Sequence, residues 1–403
     1  MKTKLILFAA AAASLTMAAG AQAPRGQASK GQGNATYWMT AETTSGMGAM
    51  SGGNRAGMMN ALMRGSAQES YTRSLMLQLG TGRRAPGEPN AEHLPPAGLH
   101  AGSSLPLVTP RAAPAPASPV TGLQGSDRPR GRMLIYWGCG DTARPGQPAI
   151  IDLAAMSQGR VPPAFANANI RMMTPPSAGR HATYGEWPNQ RSQAQVPARG
   201  SLVGEHAVRG NYTPDIRFTV GQSQDFLAPV SLTSQSPSAA GAVPLAWRPI
   251  AGATAWFAST IGAAENGDMI MWSSSETQVP AMMLDYLAPE EVARLTQRRI
   301  LLPATADRCT VPAEVARAAP QSMLSVTAFG GESNFAPSRP AGAGASWRPD
   351  WGVKLRTRSS YRGIMGMDMA AMNGDRDEEA SPAQERPRRR SLLQRGIEGL
   401  IRR

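Results

Sequence analysis

Four histidines are the residues of this chain best suited to acid–base or nucleophilic chemistry: His93, His100, His181 and His206. None belongs to the H-E-x-x-H pattern that binds zinc, and the sequence has no Walker loop and no G-x-S-x-G nucleophile turn. A catalytic triad is defined by geometry rather than by sequence order, so a triad could still assemble from distant residues. We therefore expect a non-catalytic protein without a cofactor, and we keep a hydrolase of unknown substrate as an alternative.

The two cysteines, Cys139 and Cys309, are candidates for a disulfide. Neither belongs to the C-x-x-C pair of a redox enzyme or a zinc site, and in an oxidising compartment such a pair forms a bridge. Cys139 follows a strand-like run and lies between two glycines, while Cys309 shortly precedes Pro312. Both therefore lie at the ends of elements, where bridging requires little distortion. Two separate buried thiols are the alternative.

A methionine cluster near the end of the chain suggests a soft metal. Thioether groups suit Cu(I), so Met365, Met367, Met369 and Met372 are candidate ligands of a periplasmic Cu(I)-binding protein. Met365, Met369 and Met372 also follow the i, i+4, i+7 spacing of one apolar helix face, and neither histidine nor cysteine lies among them. We favour the apolar face, expect no metal, and keep copper binding as a second alternative.

The last residues, 392–403, are typical of a basic amphipathic helix. On a helical wheel Leu392, Leu393, Ile397, Leu400 and Ile401 share one half and Arg395 lies on the other. Such helices lie on membrane interfaces, so we predict contact with an anionic membrane surface or an envelope protein. Docking of the apolar face on the protein's own core is the alternative. Two glycines within the segment weaken it as an isolated helix.

The first residues, 1–21, are typical of a secretory signal peptide. Lys2 and Lys4 precede an apolar run, and small residues at Ala19 and Ala21 predict cleavage after Ala21. The apolar run is shorter than a membrane span. We expect export, so that the mature protein is periplasmic, associated with the outer membrane, or extracellular.

The net charge of the chain limits the classes of partner that it is expected to bind. The sequence has 41 Lys and Arg against 28 Asp and Glu, for a formal net charge of +13. Such a protein suits an acidic polysaccharide, an anionic lipid or a nucleic acid, and export argues against nucleic acid. Nearly all of the positive charge is arginine, which nucleotide composition alone also explains.

Composition and local patterns predict a mainly β protein. Gly and Pro are abundant, and the dense Val, Ile and Leu runs of a large parallel α/β enzyme are absent. The expected fold is a sandwich-like core with a few short helices, a long irregular excursion and disordered ends. The predicted parts are a flexible lead (22–35), a small N-terminal α+β region (36–108), a Pro/Ala/Gly-rich linker (109–131), a β-rich core (132–360) with a long irregular loop (155–212), and a Met-containing, then charged and disordered tail (361–391).

Three local patterns are specific enough to define elements. Strand-like residues 254–261 and 268–274 flank Asn266-Gly267, which predicts a hairpin with a type I′ turn. Residues 285–299 are typical of a helix with Pro289 in its first turn. Residues 353–358 alternate between apolar and basic side chains, which predicts a strand with its basic side outward.

Residues 228–276 resemble a known module. Trp247-Arg248-Pro249-Ile250-Ala251-Gly252-Ala253-Thr254-Ala255-Trp256 is similar to the W-x-P-x-x-G-A-x-x-aromatic stretch of fibronectin type III modules. The resemblance implies that both tryptophans lie in the core of a β-sandwich, and it implies no activity. The sequence thus predicts an exported, non-catalytic cell-envelope or extracellular protein that binds a surface, a polymer or a protein partner.

Overall fold

The computed structural model describes residues 34–50, 71–110, 131–152, 169–279 and 284–367. The predicted signal peptide, most of the lead and linker, and the tail from residue 368 lie outside these ranges. No helix within them is long and apolar enough to cross a membrane.

The described chain is built mainly of strands, which confirms the predicted mainly β fold. Its strands are β1 (Ala35–Gly46), β2 (Tyr71–Thr81), β3 (Ala91–Leu94), β4 (Leu105–Leu107), β5 (Arg132–Trp137), β6 (Ala149–Asp152), β7 (Thr183–Trp187), β8 (Gly204–Gly210), β9 (Ile216–Val220), β10 (Leu232–Ser234), β11 (Val243–Trp247), β12 (Ala255–Ala263), β13 (Met269–Ser273), β14 (Leu302–Pro303), β15 (Arg308–Val311), β16 (Met323–Phe335) and β17 (Trp351–Ile364). Its α-helices are α1 (Met47–Met50), α2 (Pro289–Gln297) and α3 (Ala313–Ala318), and short 3-10 turns span Ala97–Leu99 and Gln222–Gln224.

One sheet of ten strands runs through the described chain in the order β6-β5-β13-β12-β16-β17-β1-β2-β7, with β14 paired to β12. Most neighbours are antiparallel, but β17 pairs in parallel with β1 and β5 in parallel with β13. Successive side chains in a strand point to opposite faces. The alternation along β1 and β17 therefore assigns Tyr37, Met39, Val353 and Leu355 to one face, which we call the front face, and their neighbours to the back face.

Two smaller sheets cover the front face. The four-stranded sheet β4-β3-β8-β9 packs over β1, β2 and β17, where Leu77, Val208, Ile216 and Val353 share one core. The three-stranded sheet β10-β11-β15, together with α3, packs over β12, β13 and β16 in a second core around Trp256 and Trp272. Burying such side chains contributes about 1.5–3 kcal/mol each.

The back face is covered only in part. Helix α2 and the residues around it pack on the middle of this face, where Phe257, Phe329, Val292 and Leu295 are buried together. Pro289 begins α2, and Glu290 and Glu291 lie in its first turn, where the positive end of the helix dipole favours acids. The predicted helix is therefore confirmed over Pro289–Gln297, but residues 285–288, which were predicted to be helical, form a turn and a β-bridge instead.

The predicted hairpin is confirmed as β12 and β13, which pair from Ser259–Ser273 to Ala263–Met269. Its turn differs from the predicted type I′. Only Gly267 has a positive φ, at 82°, and the Gly267 amide donates to the carbonyl of Ala264. That arrangement is a type I turn followed by a left-handed glycine, the usual form of a slightly longer hairpin loop.

Two features of the predicted organisation look different in the structure. Residues 155–212 were expected to be irregular, but β7 and β8 lie within them, because Thr183–Trp187 and Gly204–Gly210 bury alternate side chains against the sheets. Residues 36–108 and 132–360 were expected to be separate regions. Their strands β1 and β17 pair along twelve residues of one sheet.

Candidate functional site

The back face carries a row of charged side chains where β1 and β17 pair. Trp38 lies opposite Lys354, Thr40 opposite Arg356, and Glu42 opposite Arg358. These residues alternate with the core residues of the same strands, so all of them point away from the four-stranded sheet. The basic side predicted to be outward is only partly solvated, because Tyr286 and its neighbours lie over it.

A small cleft opens in the middle of this row. It has a volume of about 80 Å³ and is lined by Thr40, Asp285, Tyr286, Arg356, Thr357 and Arg358; we call it the β1–β17 cleft. Because one ordered water needs roughly 10–15 Å³ by this measure, the cleft has room for several waters or one functional group of a larger ligand.

Aromatic rings hold the cations of the row in place. The Arg356 guanidinium lies 4.8 Å from the centre of the Tyr286 ring, and the Lys354 ammonium lies 5.5 Å from the Trp38 ring. The Trp38 and Tyr286 rings are themselves 6.2 Å apart. Cation–π contacts of this kind favour the charged form and restrict the side chain.

Arg358 is neutralised by two carboxylates. Its guanidinium donates to Glu42 at 2.7 Å and to Asp285 at 2.5 Å. Burial lowers the pKa of Arg358, but Coulombic attraction and hydrogen bonds from Glu42 and Asp285 outweigh burial and raise it. Lys354 is paired with Glu332 in the same way.

Arg356 differs from its two neighbours because no described carboxylate lies within ion-pair distance of it. Burial, the largest cause, lowers the pKa of Arg356, and the charge of Arg358 adds to that effect, while Tyr286 and the charges of Glu332 and Asp285 oppose it. The buried hydroxyl oxygen of Thr40, which lines the same cleft, also has no hydrogen-bond partner. The cleft therefore presents a partly desolvated cation to whatever enters it, and an anionic ligand would compensate its charge.

The backbone of Tyr286 is in an unusual conformation. Its φ is 53°, in the left-handed region that a bulky aromatic residue rarely adopts. The segment is fixed by a hydrogen bond from the Met173 amide to the Tyr286 carbonyl and by a bridge between Met172 and Leu287. Backbone strain of this kind persists only where the surrounding structure holds it, and it is found preferentially at binding sites.

A second polar arrangement lies on the front face, inside the core under the four-stranded sheet. The Tyr37 hydroxyl is 2.9 Å from His93 Nδ1, and His93 Nε2 is 3.1 Å from His206 Nδ1. His206 Nε2 is 2.7 Å from the carbonyl oxygen of Leu202. Tyr37, His93 and His206 are all buried, and we call them the histidine chain.

The hydrogen bond between His206 and the Leu202 carbonyl determines which nitrogen of each histidine carries the proton. A carbonyl only accepts, so His206 Nε2 carries the hydrogen and, in a neutral ring, His206 Nδ1 accepts from His93 Nε2. His93 Nδ1 must then accept from the Tyr37 hydroxyl. Burial, and then the neighbouring His206, hold the pKa of His93 well below its usual value, and burial lowers the pKa of His206. Both rings are therefore neutral, and a further proton would remove one acceptor from the chain.

The histidine chain does not resemble a hydrolase site. All four histidines lie in the described ranges, and none of their side chains is hydrogen-bonded to a serine hydroxyl or a carboxylate. His181 contacts only the backbone of Ser177, and His100 is exposed. The described residues thus contain no assembled triad to support the hydrolase hypothesis.

The predicted cysteine pair is present as a disulfide. Cys139 and Cys309 are bonded, with their Cα atoms 5.2 Å apart. Cys139 directly follows β5 at the turn Gly138–Gly140, and Cys309 lies in β15. The bridge therefore joins the ten-stranded sheet to the three-stranded sheet that covers it.

The methionine and C-terminal candidates lie largely outside the described residues. Met365 is buried in the core around Trp256, whereas Met367 is 42% exposed. Met369 and Met372 lie outside the described ranges, and so do the residues of the amphipathic segment: Leu392, Leu393, Arg395, Ile397, Leu400 and Ile401. Copper binding stays a hypothesis, and burial of Met365 removes one of its ligands from the surface.

Sequence reasoning missed the two arrangements that the structure brings together. The adjacent pairs Glu92-His93 and Glu205-His206 could have indicated short strands with glutamate outward and histidine inward. For the cleft, the alternating basic side of β17 was recognised, but Thr40 and Tyr286 come from distant parts of the chain. No local pattern links them.

Neither a protein-family model, nor a curated protein, nor a solved structure matches this chain. The resemblance to fibronectin type III modules therefore rests on residues 228–276 alone. There, Trp247 and Trp256 are both buried, their ring centres are 5.3 Å apart, and they lie on strands of two different sheets. The remaining strands of the ten-stranded sheet have no counterpart in that resemblance.

Proposed function

We propose that this protein is an exported, non-catalytic cell-envelope or extracellular binding protein whose ligand is an acidic polysaccharide. The β1–β17 cleft would take one carboxylate group of the polymer at a time. The observation that carries the proposal is Arg356, a half-buried guanidinium that lines the cleft and has no described carboxylate within ion-pair distance.

The chemistry of Arg356 favours a carboxylate as ligand. A guanidinium presents parallel N–H donors that match the two oxygens of a carboxylate, and such bidentate pairs are among the strongest hydrogen bonds in proteins. The Tyr286 ring fixes the plane of the guanidinium before binding, which lowers the entropic cost of recognition. The other two cations of the row, Lys354 and Arg358, are already paired with protein carboxylates, so Arg356 is the described cation of the row that is left for a ligand.

The size and charge of the molecule favour a polymer over a free small anion. The cleft accommodates one functional group only, so useful affinity requires that many groups be presented on one chain. The formal net charge is +13 for the whole chain, of which Lys2 and Lys4 of the predicted signal peptide supply two, and the remaining positive charge attracts such a polymer from a distance. The predicted signal peptide and the disulfide are compatible with export to a compartment where acidic polysaccharides occur.

The test is binding to immobilised polygalacturonate, with neutral dextran as the reference surface. We expect the wild type to bind polygalacturonate and not dextran. Replacing Arg356→Gln should lower the affinity by about tenfold or more, because a charge-assisted hydrogen bond to a buried group is lost. Arg356→Lys should restore the affinity only in part, since an ammonium cannot form the bidentate pair.

Arg362→Gln is the matched control. Arg362 lies on the same strand and the same face, is exposed, and does not line the cleft, so its replacement removes the same charge. We expect it to change affinity by less than about twofold, as for a single rim charge. Equal losses from Arg356→Gln and Arg362→Gln would show attraction by net charge alone and would refute the cleft as the binding site.

A further inference from the structure

The back face of the ten-stranded sheet carries a second surface, at the opposite end from the cleft. Four apolar side chains stand in register on adjacent strands: Met271 on β13, Ile261 on β12, Met323 on β16 and Ile364 on β17. We call them the apolar row. Ile261 and Met323 are 46% and 44% exposed, and Met271 and Ile364 are half-buried, although none of these strands is an edge strand of the sheet.

Among the described residues, the elements that cover the rest of this face do not cover the apolar row. Helix α2 packs against Phe257 and Phe329, which lie on β12 and β16 at some distance from the row. Its buried contacts do not include Ile261 or Met323. A contiguous exposed apolar surface of this kind commonly marks a site of contact. It therefore needs an occupant.

We infer that the occupant is the chain's own amphipathic segment, residues 392–403. The described chain ends at Met367, three residues after Ile364, which is itself a member of the apolar row. The segment follows in the same chain, and the residues between them could span the distance many times over. A tethered segment of this kind has an effective concentration in the millimolar range, which favours an intramolecular contact over a partner in solution.

The dimensions and chemistry of the two surfaces are compatible. Four strands spaced about 4.8 Å apart make a row roughly 14 Å wide, and a helix of twelve residues, about 18 Å long, is long enough to cover it. The segment offers five apolar side chains on one face: Leu392, Leu393, Ile397, Leu400 and Ile401. Gly396 and Gly399 lower its helix propensity, so it needs a surface on which to fold.

The experiment compares the chain from Gln22 to Arg403 with a chain that ends at Pro387. A fluorescent peptide of residues 388–403 is titrated with each protein and its anisotropy is measured. The shorter chain should bind the peptide, and the full chain should bind it at least tenfold more weakly, because its own segment occupies the row.

Two variants of the shorter chain locate the contact. Ile261→Asp should abolish peptide binding, and Met323→Asp should do the same if the first variant fails to fold. Ile150→Asp is the matched control: Ile150 is 58% exposed, pairs with Leu134, and points to the other face of the sheet. It should leave binding unchanged, and a peptide carrying Leu393→Asp and Ile397→Asp should not bind any of the proteins.

Three results would overturn the inference. The first is equal peptide binding by the full and shorter chains, since the row would then be open. The second is binding by the shorter chain that survives both Ile261→Asp and Met323→Asp. The third is a full chain that sediments with anionic vesicles as strongly as the free peptide does, because its segment would then be exposed to a membrane and not docked.

Discussion

The two halves of the ten-stranded sheet are linked to their covering sheets in different ways. One half consists of β1, β2, β7 and β17, and the other consists of β5, β6, β12, β13 and β16. In the first, which we call the histidine half, the histidine chain crosses from Tyr37 in the large sheet to His206 in the four-stranded sheet. In the second, the disulfide half, a bond between Cys139 and Cys309 joins the large sheet to the three-stranded sheet.

The difference shows two ways in which a protein can fix the position of a covering sheet that apolar packing alone would leave undetermined. Hydrophobic burial holds both covering sheets, but it is not directional. The histidine chain adds direction, because each ring must accept at Nδ1 and donate at Nε2 for the chain to be satisfied. The disulfide adds no direction of that kind and acts mainly by restricting the unfolded chain. The two halves should therefore respond to different conditions.

The largest expected effect follows from removing the disulfide. It closes a loop of 170 residues, and the chain-entropy relation gives about 5 kcal/mol for a loop of that size. Cys139→Ala with Cys309→Ala should lower the free energy of urea unfolding by an amount of this order. Hydrogen exchange should increase in β11 and β15 more than in β3 and β8.

Reduced wild-type protein should match the double alanine variant, which separates loss of the bond from loss of side-chain volume. A double variant within about 1 kcal/mol of the oxidised wild type would show that the disulfide contributes little to that half.

The next effect is acid sensitivity of the histidine half. His93 and His206 have lowered pKa values in the folded state, whereas the unfolded chain takes up protons near pH 6.5. Stability is therefore fully present above about pH 6.5 and is lost as pH falls below it, by up to about 1.4 kcal/mol per pH unit for each histidine. His93, whose pKa is held well below its usual value, should account for the larger part of this loss.

Urea unfolding at pH 7.5 and 5.0 measures this loss. His93→Gln should flatten the pH dependence in that interval, and His100→Gln, at an exposed histidine, should leave it unchanged. Carboxyl groups with lowered pKa values, such as Glu291, reduce the stability of the protein only when they are protonated at still lower pH. The loss of stability between pH 7.5 and 5.0 therefore reports on the histidines. Identical slopes in both variants would contradict the role given to the histidine chain.

A smaller effect should follow from removing the first donor of the histidine chain. Tyr37→Phe keeps the buried ring and leaves His93 Nδ1 without a donor, which costs about 1–3 kcal/mol. Tyr71→Phe is the control, because Tyr71 is only half-buried and its hydroxyl makes a longer bond, 3.3 Å, to the Ala198 carbonyl. If the two variants lose equal stability in urea unfolding, the histidine chain is no stronger than an ordinary side-chain contact.

The smallest effect on stability is expected at Tyr286, on the back of the histidine half. Glycine there relieves roughly 1 kcal/mol of left-handed strain but removes the ring that packs on Trp38 and Arg356, so Tyr286→Gly should change stability by less than about 1 kcal/mol. Affinity for polygalacturonate should nevertheless fall.

Arg299→Gly relieves the same strain, since Arg299 is exposed and has a φ of 55° outside the cleft. It should raise stability slightly and leave affinity unchanged. A Tyr286→Gly variant with wild-type affinity would show that the ring does not position Arg356.

Local patterns were sufficient to predict much of the fold. Alternation in residues 353–358 gave the strand β17 and its two faces, Asn266-Gly267 gave the hairpin, and Pro289 gave the start of α2. The disulfide followed from the two cysteines of a chain predicted to be exported, although Cys309 lies within β15 and not at the end of an element as expected. Each of these inferences depends on neighbours in the sequence, where periodicity and turn chemistry act.

The cleft could not be predicted in this way because it is formed by distant pairs. Thr40 meets Arg356 only because β1 and β17 pair in parallel, and nothing in either strand records its partner. The basic side of β17 was expected to face water, since alternation tells which side chains share a face and not what covers that face. The positive φ of Tyr286 could not be predicted from the sequence, because the residue is neither a glycine nor an asparagine.

Hydrogen exchange of the full chain with and without polygalacturonate tests most directly whether the polymer binds at the cleft. The account predicts slower exchange in β1, in β17 and in residues 284–288, and unchanged exchange in β12 and β13 at the far end of the same face. Protection centred on β12 and β13, or protection spread evenly over arginine-containing segments, would contradict it.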